Sequence, residues 1–369
     1  MESLVLDITQ YTLVASTIGL MFYYLYFFKK TADYKVKINK EEPPVSVVIC
    51  AQNELRNLKL FIPKILDQKY SEFEVVVIVD HSDDGSYEFL IDLSKSNPIL
   101  KVYQFNEDKV SGGKKEALQF GINKASYEHL LMTDADCSPA SVNWVKYMVS
   151  GFSKEKQLVL GIGMYEAGEN KLLSKVVQWD SLMIAVQYLS YSLRRKPYMS
   201  VGRNVAYTKT LFNQCKGFNS HLHISSGDDD LFVQEAVSKT DTSIIINKES
   251  QTMSKPSETW FSFIQQKSRH FTTGSKYKGS VIFLLGFYQL CIVLFYTAII
   301  SSLLINSSLT LLLTMFLIKN FVQASVFKRI FFKIGVRVQL LPFLFYDIIW
   351  VLLLTIINLT RITSPSSKW

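Results

Sequence analysis

An α/β domain built on a parallel sheet, carried between apolar helices at both ends, is the fold class this sequence predicts. Three observations point to it. Uncharged apolar runs of about 18 residues or more sit near the start and in the last quarter of the 369 residues. Between them, near-continuous Val/Ile runs alternate with segments whose apolar residues recur at helical spacing. Finally, 48% hydrophobic residues coexist with 20% charged ones, which fits neither a wholly membrane-buried bundle nor a disordered chain, so the apolar surplus is local.

The first element runs uncharged from Tyr11 to Phe28 and is followed at once by Lys29 and Lys30. That length crosses the roughly 30 Å hydrocarbon layer as a helix. Acidic Glu2 and Asp7 ahead of it, and no small-residue cleavage signal after it, favour an uncleaved anchor over a signal peptide. The flanking charges place the following segment in the cytosol. Residues 1–30 are therefore expected to form an anchor, 43–275 a cytosolic α/β domain, and 281–361 a C-terminal region of about three transmembrane helices. Those three are expected from Val281 to Ile305, from Leu309 to Ile318 with an extension to Phe327, and from Leu340 to Leu359. The basic stretch Lys328 to Arg337 reads as interfacial, and Asp347 in the last run is assigned no role.

In the α/β part, strands are expected at Pro43 to Cys50, Phe73 to Asp80, Ile99 to Phe105 and His129 to Asp136. Helices fall between them, at Glu54 to Gln68 and Lys114 to Ala125. Ligands of open α/β sheets bind beyond the carboxyl ends of the strands. Three of these four strands end in polar residues there: Asn53 and Glu54 after the first, Asp80 through Ser86 after the second, and Asp134 with Asp136 at the fourth. Two carboxylates one residue apart at a strand end suit a hard divalent cation, although D-x-D alone also occurs in turns and caps. The net charge of +8 suits an anionic partner. With no basic stripe or reader motif, nucleic acid is not indicated. Cys50, Cys137, Cys215 and Cys291 show no C-x-x-C spacing, so neither a zinc site nor a disulfide framework is indicated.

The ordered set VSVVICAQNE, VIVDHSDDGS, SGGKKEAL, LLMTDADCSP, VGRNVAY, SGDDDLF and QQKSRH, spread over about residues 45 to 270, resembles the family 2 inverting glycosyltransferases. The resemblance, closest to membrane-bound bacterial members, implies the GT-A fold, a Rossmann-like mixed sheet flanked by helices. It implies a metal-dependent hexosyl transfer from a nucleotide-diphosphate sugar, with UDP-sugar as the expected donor, to a lipid-linked or saccharide acceptor at the cell membrane. The product would be cell-surface polysaccharide or glycolipid. By position, Asp134 and Asp136 would hold Mg²⁺ or Mn²⁺. Asn53, Glu54, Asp80, Lys114, Asp134 and Gln266 would meet the donor, and Asp229 would be the general base, with Asp228 and Asp230 as alternatives. Arg269 would approach the leaving diphosphate, and Gly202, Asn204, Asp228 and His270 would lie on the acceptor side. Lys114 reads equally as a solvated helix-start lysine.

Two positions depart from the resemblance. His270 stands where a Trp is implied, which weakens a stacking surface for sugar and with it the case for processive polymer synthesis. His81 stands where an acid is implied to meet the nucleobase. The segment Lys171 to Met199 reads equally as an interfacial helix near a lipid-linked acceptor and as core. A different class, a catalytically silent sugar-nucleotide-binding membrane scaffold, is the alternative function.

Overall fold

The computed structural model describes residues 2–107, 113–224, 226–270, 273–305, 307–336 and 342–363, without the side chains of 2, 270, 342–345 and 358–363. Ser111 and Gly112 of the SGGKKEAL motif, Arg337, Leu340 and the His270 side chain thus lie outside the described parts. The chain divides into two compact units, one of residues up to Tyr34 together with those from Lys278 onward, the other Lys35–Tyr277.

Helix α1 (Glu2–Phe22) passes through a wide π-helical stretch (Tyr23–Phe28) into α2 (Lys29–Asp33). The α/β alternation follows: β1 (Val45–Ala51), α3 (Leu55–Leu66), β2 (Phe73–Asp80), α4 (Ser86–Ser96), β3 (Leu100–Phe105), α5 (Lys115–Lys124) and β4 (His129–Asp134). β1 starts two residues later than expected because Pro43 and Pro44 carry no N–H for the ladder. β4 stops at Asp134, so Asp136 stands in the turn ahead of β5 (Cys137–Pro139). Then come α6 (Trp144–Val149), β6 (Leu158–Leu160), β7 (Gly163–Tyr165), α7 (Lys171–Leu193), β8 (Val205–Thr208) and α8 (Lys209–Gln214). α9 (Asp230–Ala236), β9 (Thr242–Ile244), β10 (Thr252–Ser254) and α10 (Trp260–His270) complete this unit, and α11 (Gly279–Leu304), α12 (Leu309–Ile334) and α13 (Pro342–Thr363) follow.

Among the described residues the main sheet has the order β3-β2-β1-β4-β8-β6-β9. β3, β2, β1 and β4 run parallel, and β8 is antiparallel to both β4 and β6. The sheet is thus mixed. Its core places Val47, Ile49, Val75 and Val77 against Leu58, Ile62 and Ile65 of α3 and Trp144 of α6. The strand order reverses beside β1, which opens a crevice between the carboxyl ends of β1 and β4. A second sheet, β5-β10-β7, flanks it. α7 is buried around almost its whole circumference, so the Lys171–Leu193 part of the ambiguous segment is a core helix.

In the other unit, three helical runs among the described residues are long and apolar enough to cross a membrane: Ser3–Asp33, Gly279–Leu304 and Leu309–Ile334. α13 contributes a shorter apolar stretch, Tyr346–Ile357. α12 continues to Ile334, so most of the basic stretch expected to lie apart from the span is its last turns. There Arg329 Nη1 meets Asp33 Oδ1 at 2.6 Å. Two charges inside the apolar runs are paired with each other. Lys319 of α12 and Asp347 of α13 are almost fully buried at 2.5 Å, and Gln323 bonds both, with its Oε1 2.6 Å from Lys319 Nζ and its Nε2 2.9 Å from Asp347 Oδ2. Unpaired, either charge is expensive in hydrocarbon.

Removing one member of such a pair strands the other. Asp347→Leu is expected to destabilise this unit by about 3–5 kcal/mol, and Lys319→Met with Asp347→Leu to recover most of the loss. Thermal unfolding in nanodiscs measures both, and equal stability of the single and double variants would contradict the pairing.

Candidate active site

The crevice is built from strand ends that the sheet brings together. Cys50 of β1 is the register partner of Asp134 on β4, and Ala51 that of Val79 on β2. Beyond β1, Asn53 adopts a left-handed backbone at φ 55°, and beyond β2 His81 does so at φ 46°. Asn and His tolerate that region better than most residues. The two turns tie to each other: Ser82 Oγ accepts from Asn53 N–H at 3.0 Å, and Asn53 Oδ1 accepts from Asp83 N–H at 3.0 Å. Asp80 is buried at the end of β2, with its Oδ1 2.8 Å from His81 Nδ1. Glu54 lines a shallow hollow with Asn53, Arg56, Asn57 and Asp84. Desolvation, then repulsion from Asp136 and Asp134, raises its carboxyl pKa against a bond from Asn57.

Lys114, just ahead of α5, joins the two acidic motifs. Its Nζ lies 2.9 Å from Asp134 Oδ1 and 2.8 Å from Asp228 Oδ2. It is therefore no solvated helix-start lysine. Burial opposes its charge, but the two carboxylates outweigh that and hold its pKa well above the ordinary lysine range. Neighbouring Lys115 points the other way, fully buried, and donates to the carbonyls of His221 at 2.7 Å and Ile224 at 2.9 Å in the turn preceding the acidic run.

The three adjacent acids have separate surroundings. Asp228 pairs with Lys114. Asp229 accepts from Gly202 N–H through Oδ2 at 2.8 Å and from Asp230 N–H through Oδ1 at 2.7 Å. Asp230, buried at the start of α9, accepts from the hydroxyls of Thr273 and, at 2.7 Å, Tyr277. Gly202 sits where these groups meet: a Cβ there would lie 3.4–3.5 Å from Asp228 Oδ2, Asp229 Oδ2 and Lys114 Nζ. Desolvation, followed by repulsion from Asp228 and Asp230, pushes the Asp229 carboxyl up to about 8, against the pull of Lys114 and the Gly202 N–H.

Asp136 opens to solvent on one side, yet the protein around it removes much of its hydration. That desolvation, and then Asp134, raises its pKa. The ligand atoms of Asp134, Asp136 and Cys137 all lie within 4.8 Å of one another. Burial pushes the Cys137 thiol up, and its Sγ donates to Asp136 Oδ1 at 3.3 Å. Two crowded carboxylates beside a protonated thiol fit a hard cation such as Mg²⁺ or Mn²⁺ rather than a thiolate-seeking metal.

Asn204 and Gln266 are engaged by other protein groups. Asn204 requires a correction: it is fully buried, its Oδ1 accepts from Trp144 Nε1 at 3.0 Å, and its Nδ2 donates to the carbonyls of Ile162 and Ser250, both at 2.8 Å. Its amide holds the core together and faces no acceptor. On α10, Gln266 Oε1 accepts from Ser257 at 3.1 Å, Arg269 is half-buried, and Lys267 forms a buried ion pair with Asp180 of α7. Trp260 opens α10 and is exposed. Arg203 was not foreseen. It stacks over Tyr165, 4.2 Å from the ring centroid, and adds its field to that at Asp136. The one sequence signal for it was a cation next to Gly202.

The raised Asp229 pKa has a stability consequence. Its ionised form is disfavoured in the fold, so its stabilising share is full below the unfolded value and is lost as pH rises through about 8. Asp229→Asn lacks this loss. The unfolding temperature of the variant minus that of the parent is expected to grow between pH 5 and pH 8, and a flat difference would contradict the shift.

A family profile described as Glycosyl transferase family 2 matches residues 46–217. The poly-beta-1,6-N-acetyl-D-glucosamine synthase of Staphylococcus epidermidis is 28% identical over 139 residues, which are 37% of this chain and 32% of that protein. An uncharacterized glycosyltransferase of Haemophilus influenzae is 26% identical over 157 residues, 42% of this chain and 45% of that one. The chain thus spans from 32% to 45% of the length of these curated relatives. A mannosyltransferase from Pyrobaculum calidifontis, solved in complex with GDP-Man and Mn²⁺, has a TM-score of 0.58 at 17% identity, covering 94% of this chain and 99% of that one. That likeness is one of fold, the GT-A arrangement. The matched segment runs from β1 through the D-x-D turn and β8 to Gly217, and over that segment this chain is similar to glycosyl transferase family 2.

Proposed function

We propose that the chain is a membrane-anchored inverting glycosyltransferase. It would move a sugar from a nucleotide-diphosphate donor to a lipid-linked or saccharide acceptor, in cell-surface polysaccharide or glycolipid synthesis. The observation that carries this reading is the shared lysine: Lys114 pairs with both Asp134 and Asp228, so the D-x-D and the acidic run face one crevice. The names of the Staphylococcus and Haemophilus relatives support the same class.

In this reading Asp134 and Asp136 hold Mg²⁺ or Mn²⁺, which supplies Lewis-acid stabilisation of the departing diphosphate. Asp229 takes the proton of the acceptor hydroxyl as that oxygen attacks the anomeric carbon, and the bond from that carbon to the diphosphate oxygen breaks on the opposite face. Gly202 N–H and Asp230 N–H hold the Asp229 carboxylate while it does so. Asp228 and Asp230 are less suited to be the base: one is neutralised by Lys114, the other engaged by two hydroxyls. Asn53, Glu54 and Asp80 lie on the donor side, and Arg269 approaches the leaving group. Lys29 and Lys30 after the first span and Lys276 and Lys278 before α11 support a cytosolic catalytic unit at the cell membrane.

The purified full chain, supplied with Mn²⁺, a donor panel and lipid or saccharide acceptors, tests the proposal through release of nucleoside diphosphate and formation of product. Asp229→Asn is expected to lower kcat by about 10²–10⁴-fold, and Asp136→Ala to abolish the metal requirement together with most turnover. Undiminished turnover in both variants would sink the assignment. Because only ionised Asp229 accepts a proton, kcat/KM should fall as pH drops below about 8. A profile flat from pH 6 to 9 would remove Asp229 from that role. Metal-dependent donor binding without transfer to any acceptor would favour the silent scaffold.

A further inference from the structure

The two carboxylates of the D-x-D turn are supported in different ways. Asp134 is paired directly with Lys114. Asp136 has no salt bridge among the described residues, and Cys137 Sγ donates to its Oδ1 at 3.3 Å. Cys137 Sγ in turn lies 3.0 Å from Ser254 Oγ, and Arg203 Nη1 donates to that same oxygen at 3.4 Å. A guanidinium has donors only, so Ser254 Oγ accepts from it, and the serine hydroxyl hydrogen is left for Sγ. The thiol hydrogen is then left for Asp136. Every donor in the series points toward the carboxylate.

The small sheet sets this series side by side. Ser254 of β10 is the register partner of Cys137 on β5 and of Tyr165 on β7. Arg203 is held at the far end by three constraints. Its guanidinium lies over the Tyr165 ring, its Nη2 donates to Gly163 O at 2.9 Å, and a Cβ on Gly163 would fall 2.1 Å from its Nε. Glycine at 163 is what leaves room for it.

We propose that Arg203 is a positioning residue for the cation-binding carboxylate of Asp136, acting through Ser254 and Cys137. The proposal rests on the reading of Asp136 as a ligand of a divalent cation. A direct arginine–carboxylate pair would neutralise Asp136 and compete with the metal. A relay through two uncharged groups fixes the carboxylate's rotamer and leaves its charge for the cation. Such outer partners typically change metal affinity 10–100-fold when lost.

Mn²⁺ binding by the full chain in nanodiscs, with UDP or GDP present and free Mn²⁺ read by EPR, tests this apart from turnover. Arg203→Lys, Cys137→Ala and Gly163→Ala are expected to weaken Mn²⁺ binding by about tenfold or more, the last without altering any member of the relay. Cys137→Ser, which keeps a donor, is expected to restore affinity to near that of the parent. Parent-like affinity in folded Arg203→Lys, or equal affinity of Cys137→Ala and Cys137→Ser, would overturn the proposal. The cysteine pair decides the matter where the arginine variant does not fold. A parent that binds no Mn²⁺ overturns the metal reading and this proposal together. A parent that binds Mn²⁺ and transfers sugar while the variants match it overturns this proposal alone.

Discussion

Like charges brought to one edge of a sheet repel, and the α/β unit is arranged around that constraint. Asp134, Asp136, Asp228, Asp229 and Asp230 converge with Glu54 and Asp80 near the carboxyl ends of β1, β2 and β4. Lys114 is the cation that touches two of them. Its ammonium holds the D-x-D turn and the acidic run together, while Lys115 secures the turn that delivers the run. Among the described residues Asp136 and Asp229 form no ion pair, and desolvation together with neighbouring acids raises both carboxyls. An acid-rich crevice of this kind is poorly optimised for stability and well matched to binding a cationic centre.

Much of the fold was legible, and the reasons are physical. Strands of a parallel sheet are buried on both faces, so VSVVICA and FEVVVIVD stand out as unbroken apolar runs. α3 shows Leu58, Phe61, Ile62 and Ile65 at helical spacing because only one of its faces is buried. β5, β7 and β10, of three residues each, are too short to show a period, and the sheet they form was not foreseen. Arg203 escaped because its partners on β7, α7 and β10 lie 22 to 51 residues from it along the chain. Asn204 was expected on the acceptor side only from its place in the VGRNVAY motif. Only the three-dimensional arrangement shows its amide spent on an indole and two carbonyls.

The apolar runs were equally plain from composition, but their internal chemistry was not. In the sequence Lys319 and Asp347 are single charges inside otherwise apolar runs. Their pairing makes each a condition of the other's burial. Sequence patterning reports which residues avoid water and says little about which polar groups find one another.

The wide helical stretch at Tyr23–Phe28 settles a problem of phase. Buried residues recur at every fourth position there, Leu20, Tyr24, Phe28 and Ala32 on one line and Tyr23, Phe27 and Thr31 on the next. In an ordinary α-helix each four-residue step overshoots a full turn by about 40°, so such lines would wind away from α11 and α12 toward lipid. Extra residues in the turn take that rotation back. The aromatic rings stay aligned on Tyr288 and Phe327, and Asp33 arrives on the side where Arg329 waits. The bulge acts as a vernier, joining two stretches of helix whose sequence repeats do not share one pitch.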